Sequence, residues 1–279
     1  MLLDAKDWSS GPKGWPPKDQ DWASKNVADI ARKDEVMKEK IEIITRFNSP
    51  IMTAKEYIDF SRSIIQHLKD FHPIFETVYS WGAQATSWTE IEKDFSNFDS
   101  TVFQHIYDRE INYKNPNSEK EFLPESISWA GFSNAYSNTK KAKDIKYSVS
   151  VGAGGEDGLG FINFQLPQLH FEEFYHSETI KSLIQHLFQV VNIGTAYAIT
   201  ENLFDQIVDF EKPYDVQVGW LNFFTNKKIL MNLPGDISKE LTGDGCFFWL
   251  AETIGNCSAE TVKTATKIRD ILGELGYLD

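Results

Sequence analysis

The sequence predicts an α+β fold in which a mainly antiparallel sheet packs against several amphipathic helices. Three observations carry this reading. Apolar residues recur at helical spacing in the first part of the chain and alternate in the strand manner after Ile127. Three successive alternating runs then make an antiparallel meander. Aromatic residues form 14% of the 279 residues, a content that suits pleated, half-buried surfaces.

Residues 1–26 hold Gly11, Pro12, Gly14, Pro16 and Pro17 with Trp8, Trp15 and Trp22 between them. Glycine and proline at this density break regular structure, so the segment reads as an extended arm whose indole rings lie against a surface. Residues 27–279 are expected to form a single α+β domain. Val27, Ile30, Ala31, Met37, Ile41 and Ile44 recur near the helical period and predict an amphipathic helix from Asn26 to Phe47. Thr53 and Glu56 make a capping box ahead of Tyr57, Phe60, Ile64, Leu68 and Phe71, which predicts a second helix ended by His72-Pro73. Ser80-Trp81-Gly82 breaks the pattern. Ile91, Phe95, Phe98, Val102 and Ile106 predict a further helical stretch, with Asn97 to Ser100 as the place where it would split.

The meander is expected at Ile127, Trp129 and Gly131, then at Ile145, Tyr147, Val149 and Val151, then at Ile162, Phe164 and Leu166. Ser177 caps a helix carrying Ile180, Leu183, Ile184, Leu187 and Val191. A short strand from Thr195 to Thr200 leads into a short helix from Glu201 to Val208. Two strands, Val216 to Phe224 and Cys246 to Leu250, are rich in aromatic and β-branched residues; burying each such side chain is worth roughly 1.5–3 kcal/mol, so both belong to the scaffold. Ser258 caps a last helix carrying Val262, Ala265, Ile268 and Leu272, which stops near Gly276. The stretches RSIIQHL at Arg62 and KSLIQHL at Lys181 resemble each other, but their flanks do not extend the match, and no internal repeat is assigned.

With 41 acidic and 28 basic residues the formal charge is −13. That argues against a nucleic-acid or anionic-membrane partner and suits a basic protein partner. Two cysteines, Cys246 and Cys257, are too few for a disulfide framework and match no metal spacing. MLLDAKDW lacks the basic and apolar regions of a secretory leader, and no segment reaches about 18 apolar residues, so a cytoplasmic location is expected.

The motifs that carry chemistry fail one by one. The glycine-rich run from Gly152 to Gly160 lacks a Lys-Ser/Thr ending and carries Glu156 and Asp157, which would repel phosphate; it reads as a loop presenting two carboxylates. His170, Glu172, Glu173 and His176 do not have the spacing of a metalloprotease site, and no metal or cofactor is expected. No GxSxG elbow exists, Ser133 has no paired histidine, and Cys246 lies in an apolar strand, so no catalytic residue is assigned. The unusual feature is acidic. Glu201, Asp205 and Asp209 are spaced i, i+4, i+8 and would line one helix face, with Phe204, Ile207 and Val208 turned inward, at a cost of a few tenths of a kcal/mol per like-charged pair. Glu211 and Asp215 follow, and Asp236, Glu240 and Asp244 lie in the loop before the last strand.

The order of short motifs resembles the immunity protein 52 family of bacterial polymorphic toxin and type VI secretion systems. The order is a helix ending near Trp81-Gly82, strands leading into Leu166-Pro167, then Val218-Gly219-Trp220, a Leu233-Pro234 loop, a glycine-rich entry to the last strand, and a terminal Leu275-Gly276-Tyr277-Leu278. It spans roughly residues 50–279. The resemblance implies a cytoplasmic, non-enzymatic α+β protein that binds and neutralises a cognate toxin as a 1:1 complex. Such toxins are often nucleases with basic sites, which an acidic inhibitor complements. Glu201, Asp205, Asp209, Glu156, Asp157 and Asp244 are the expected charge contacts, and Trp15 and Trp22 the expected anchors from the arm. Two other classes stay open: an enzyme of unrecognised type, such as a carboxylate-dependent hydrolase, and a secretion adaptor or chaperone.

Overall fold

A computed structural model describes residues 40–82, 87–110, 122–128, 130–140, 145–153, 158–166, 172–211, 214–255 and 257–278. The expected arm with Trp15 and Trp22, the expected first helix up to residue 39, and Glu156 and Asp157 lie outside the described residues.

The fold is α+β, as its sequence pattern predicts. Its strands are β1 (Ile41–Asn48), β2 (Val78–Trp81), β3 (Trp88–Ile91), β4 (Phe132–Ser137), β5 (Lys146–Ala153), β6 (Leu159–Leu166), β7 (Ile193–Thr200), β8 (Leu221–Phe224), β9 (Ser238–Leu241) and β10 (Cys246–Trp249). They form one sheet in the order β3-β2-β4-β5-β6-β1-β7-β8-β10-β9. Every paired neighbour is antiparallel. Helices α1 (Ala54–Phe71), α2 (Phe98–Arg109) and α3 (Ser177–Leu187) pack on one face. The rings show this: Phe60 of α1 lies 5.7 Å from Phe47, Phe98 of α2 stacks 6.3 Å from Tyr136, and Phe188 just after α3 meets Phe223 edge-on at 4.9 Å. Tyr136, Tyr147 and Phe164 continue across β4, β5 and β6 as a stacked ladder at 5.5 and 5.9 Å. The short α4 (Glu201–Ile207) lies on the opposite side, beside Tyr197, and α5 (Ala259–Glu274) packs against it.

β1 corrects the expected helix from Asn26 to Phe47. Ile41, Ile43, Thr45 and Phe47 are buried while the residues between them are partly exposed, a period of two that the helical reading had taken as Ile41 and Ile44 on one face. β-branched Ile and Thr favour the extended backbone, and β1 is paired along its length on both sides, in register Ile41↔Leu166 to β6 and Ile41↔Thr200 to β7. The strand at the centre of the sheet is thus one the periodicity missed.

The capping box forms as expected: Thr53 Oγ1 accepts from the Glu56 amide at 3.2 Å, and the Glu56 carboxylate accepts from the Thr53 amide at 2.8 Å. The predicted stretch from Ile91 to Ile106 splits where Asn97 stands: Ile91 ends β3 and α2 begins at Phe98. Asn97 is turned back to that strand, its Nδ2 donating to the Glu90 carbonyl at 2.8 Å. Trp81 closes strand β2, not a helix. Ile127 pairs only as an isolated bridge with Thr53 and is 61% exposed, so the meander starts at Phe132. Ser177 is the first residue of α3, with His176 at the cap, and its hydroxyl donates to the Ala251 carbonyl at 2.8 Å.

The expected strand from Val216 to Phe224 is regular only from Leu221. Asn222 of β8 reaches back into the preceding turn with its side chain, its Oδ1 accepting from the Gly219 amide at 2.7 Å and its Nδ2 donating to the Gly219 carbonyl at 2.9 Å. Those bonds take the groups a ladder would use. The segment from Asn232 to Gly245, read as a loop, contains the edge strand β9. Among the described residues no helix is long and apolar enough to cross a membrane.

Candidate functional site

The two carboxylates of the predicted stripe that stay on α4 frame a groove. Thr200 caps that helix, its hydroxyl accepting from the Leu203 amide, and Leu203 and Ile207 anchor it by burial. This turns Glu201 and Asp205 outward, one helical turn apart and both exposed. The groove, about 550 Å³ in volume, is lined by Ile44, Tyr197, Ile199 and Phe204, with Glu201, Asp205, Glu42 and Lys40 at its margins. Glu42 is engaged, accepting from Gln165 Nε2 at 3.0 Å and pairing with Lys40 at 3.3 Å. Glu201 and Asp205 have no ion pair among the described residues.

Asp209 departs from the expected stripe. The helix ends at Ile207 and Val208 is extended, so Asp209 leaves the face of Glu201 and Asp205 and instead accepts from the Glu211 amide at 3.0 Å. This small turn exposes Phe210, whose side chain is 84% accessible between two acids. Sequence reasoning missed Phe210; the available signal was a large apolar residue at a position outside the inward set of Phe204, Ile207 and Val208. Asp215, the last acid of the run, pairs with Arg46 at 3.3 Å, and that guanidinium also lies over the Phe161 ring at 5.7 Å. Asp244 lies elsewhere, in the turn from β9 to β10 at the edge of the sheet, and Glu240 is bound to Lys181, so neither joins the groove.

The structure also assembles a serine and a histidine that the sequence keeps 25 residues apart. Ser80 Oγ lies 2.8 Å from His105 Nδ1 and accepts from Asn134 Nδ2 at 2.8 Å. Ser80 and His105 are both buried, and burial lowers the imidazole to about 4, with the nearby Arg109 charge adding to the effect and Asp108 opposing it. Ser80 and the neutral imidazole share a hydrogen bond whose donor is set by the ring tautomer, and the trio links α2, β2 and β4 as a core hydrogen-bond chain. Cys246 is likewise internal, and burial pushes its thiol up to about 11. Of the residues considered as metal ligands, Glu173 pairs with His72 at 2.9 Å and His176 bridges to Thr253; His170 lies outside the described residues.

No protein-family model matches the sequence. No curated protein matches it either. Among solved structures the chain is similar to a T6SS protein of Pseudomonas aeruginosa, with a TM-score of 0.49 and 13% identity over 91% of this chain and 84% of that one.

Proposed function

We propose that this chain is an immunity protein of the kind its motif order resembles, which binds a basic toxin domain in the cytoplasm and neutralises it as a stoichiometric complex. The observation that supports this best is the composition of one short segment. The segment from Glu201 to Glu211 offers one wall of an apolar groove, the bare ring of Phe210, and the Glu201 and Asp205 carboxylates, which no cation engages among the described residues. An exposed aromatic residue beside uncompensated charge is the arrangement that protein interfaces use as an anchor with a steering rim. The chain's formal charge of −13 adds a long-range field of the same sign, which raises the encounter rate with a basic partner and makes it sensitive to salt. In this reading the chain acts by occupying its partner and performs no chemistry.

Co-expression with the toxin domain encoded beside it tests the proposal. Rescue should require at least one copy of this protein per toxin, and a mixture of the two purified proteins should elute as a 1:1 complex. Rescue at far below that ratio would mean that the chain turns over a substrate, and the immunity reading would be abandoned.

A further inference from the structure

One polar group of the groove has no hydrogen-bond partner among the described residues. Tyr197 is 7% exposed, and its ring lines the groove. Its hydroxyl makes no hydrogen bond among the described residues, and the side chain that carries it forms part of the groove wall. Burial pushes the phenol up to about 12, with Glu42 adding to the effect and Arg46 opposing it, so the oxygen keeps its proton and its acceptor capacity.

The acceptors around it are spread out. Glu201 and Asp205 stand a helical turn apart, and Tyr197 rises from the strand beneath them. Lys40 pairs with Glu42, and among the described residues no cation pairs with Glu201 or Asp205. The walls between these groups, Ile44, Ile199 and Phe204, are apolar.

We propose that the groove receives an arginine side chain of a basic partner protein, with its stem against Ile44, Ile199 and Phe204 and its guanidinium shared among Glu201, Asp205 and the Tyr197 hydroxyl oxygen. This rests on the reading of the chain as a binder of a basic protein, and narrows it to a residue type. Arginine fits better than lysine because a planar fork with five donors can reach separated acceptors at once, whereas an ammonium is a point charge on its stem. The apolar walls suit a long side chain that buries its methylenes beneath a charged head. A volume of about 550 Å³ falls within the range of small-ligand sites and has room for the side chain and the backbone that carries it.

The test is calorimetric titration of the full chain with tetra-arginine, tetra-lysine and tetra-glutamate peptides. Tetra-arginine should bind at one site, more tightly than tetra-lysine and more weakly as salt rises, and tetra-glutamate should not bind. The double variant Glu201→Gln with Asp205→Asn should weaken tetra-arginine by roughly tenfold or more, and Tyr197→Phe, which removes one oxygen and keeps the ring, by roughly threefold. Glu260→Gln, an exposed acid on α5, should leave it unchanged. Equal affinity for tetra-arginine and tetra-lysine, or equal affinity across all these variants, overturns the proposal. The two readings fail separately. Loss of toxin rescue with this binding pattern intact sinks the immunity function alone. Rescue that survives the groove variants, with no tetra-arginine binding, sinks the groove alone.

Discussion

His186 Nε2 lies 2.8 Å from the main-chain oxygen of His67, and the two imidazole rings stand 5.8 Å apart. These histidines are the next-to-last residues of the stretches KSLIQHL and RSIIQHL, so two segments that do not qualify as a sequence repeat meet as neighbouring helices, α3 against α1. Their environments match as well. Arg62 pairs with Asp59 at 3.4 Å and Lys181 with Glu178 at 2.8 Å, each three residues back, and each cation lies over an aromatic ring, Phe98 at 5.8 Å and Trp249 at 4.7 Å. Similar surroundings on one sheet face account for the likeness: both helices bury their Ile/Leu positions and turn Gln-His to the polar side.

His186→Ala is expected to loosen this helix pair. It removes one hydrogen bond to a carbonyl and the ring contact with Phe71 at 5.4 Å, a loss of about 1–2 kcal/mol in urea unfolding. Peptide or toxin binding at the groove should be unaffected, since that surface lies on the other side of the sheet. Unchanged stability would show that His186 is only an exposed flank of α3.

The elements legible in the sequence were those whose local signals agree with their tertiary surroundings. The α1 capping box, the alternation in β5 and β6 and the Ser258 cap each state their structure within a few residues. β1 was not legible because Ile41 and Ile44, which the strand puts on opposite faces, also fit a helical period, and only pairing with β6 and β7 decides between the two readings. The site was half legible. Glu201 and Asp205 could be placed on one face by spacing, but the end of α4 at Ile207, which releases Asp209 and exposes Phe210, has no breaker residue to announce it. Tyr197 was hidden because strand alternation does not say which face will border a groove.

The cysteines should differ sharply towards a thiol reagent. Cys246 is fully buried in β10 with its thiol pushed up to about 11, so little thiolate forms near neutral pH, whereas Cys257 is partly exposed. Mass spectrometry after brief alkylation at pH 7 should find the label on Cys257, with Cys246 modified only when the chain is unfolded. Labelling of both at equal rates would contradict the burial of β10.

His105 should make the fold sensitive to mild acid. Its folded value of about 4 lies below the ordinary 6.5, so between these values the unfolded chain binds a proton that the folded chain does not. The stability this group contributes is therefore fully present above pH 6.5 and is lost as the pH falls towards 4. His105→Gln keeps a hydrogen-bonding side chain beside Ser80 but cannot titrate. The urea midpoint of that variant should change less between pH 6.5 and 4 than that of the native chain, and an identical pH profile would exclude His105 as a source of the slope.

Gly219 should tolerate no side chain. A Cβ there would land on the Ala198 carbonyl, well inside van der Waals contact, at the point where the Trp220 amide bonds that same oxygen at 2.7 Å. Neither partner can yield without breaking the entry to β8. Gly219→Ala is expected to destabilise at or above the upper end of the roughly 1–3 kcal/mol typical of overpacking, whereas Gly235→Ala, with open space around it, should be close to neutral. Thermal unfolding of the two variants side by side gives the comparison.

Phe210 offers a test of the proposed binding surface that leaves the scaffold intact. Phe210 is 84% exposed, so truncation to alanine empties no buried space and Phe210→Ala should unfold within about 0.5 kcal/mol of the native protein. If the ring is an interface anchor, the same change should weaken the toxin complex by roughly 2 kcal/mol, near thirtyfold, through faster dissociation. Replacing Glu201 and Asp205 should instead slow association and flatten its dependence on salt. Surface plasmon resonance at two salt concentrations resolves the two effects, because one lies in the off-rate and the other in the on-rate. A Phe210→Ala complex that dissociates at the native rate would remove this ring from the interface, since a side chain 84% exposed in the free chain can act on dissociation only by being covered in the complex.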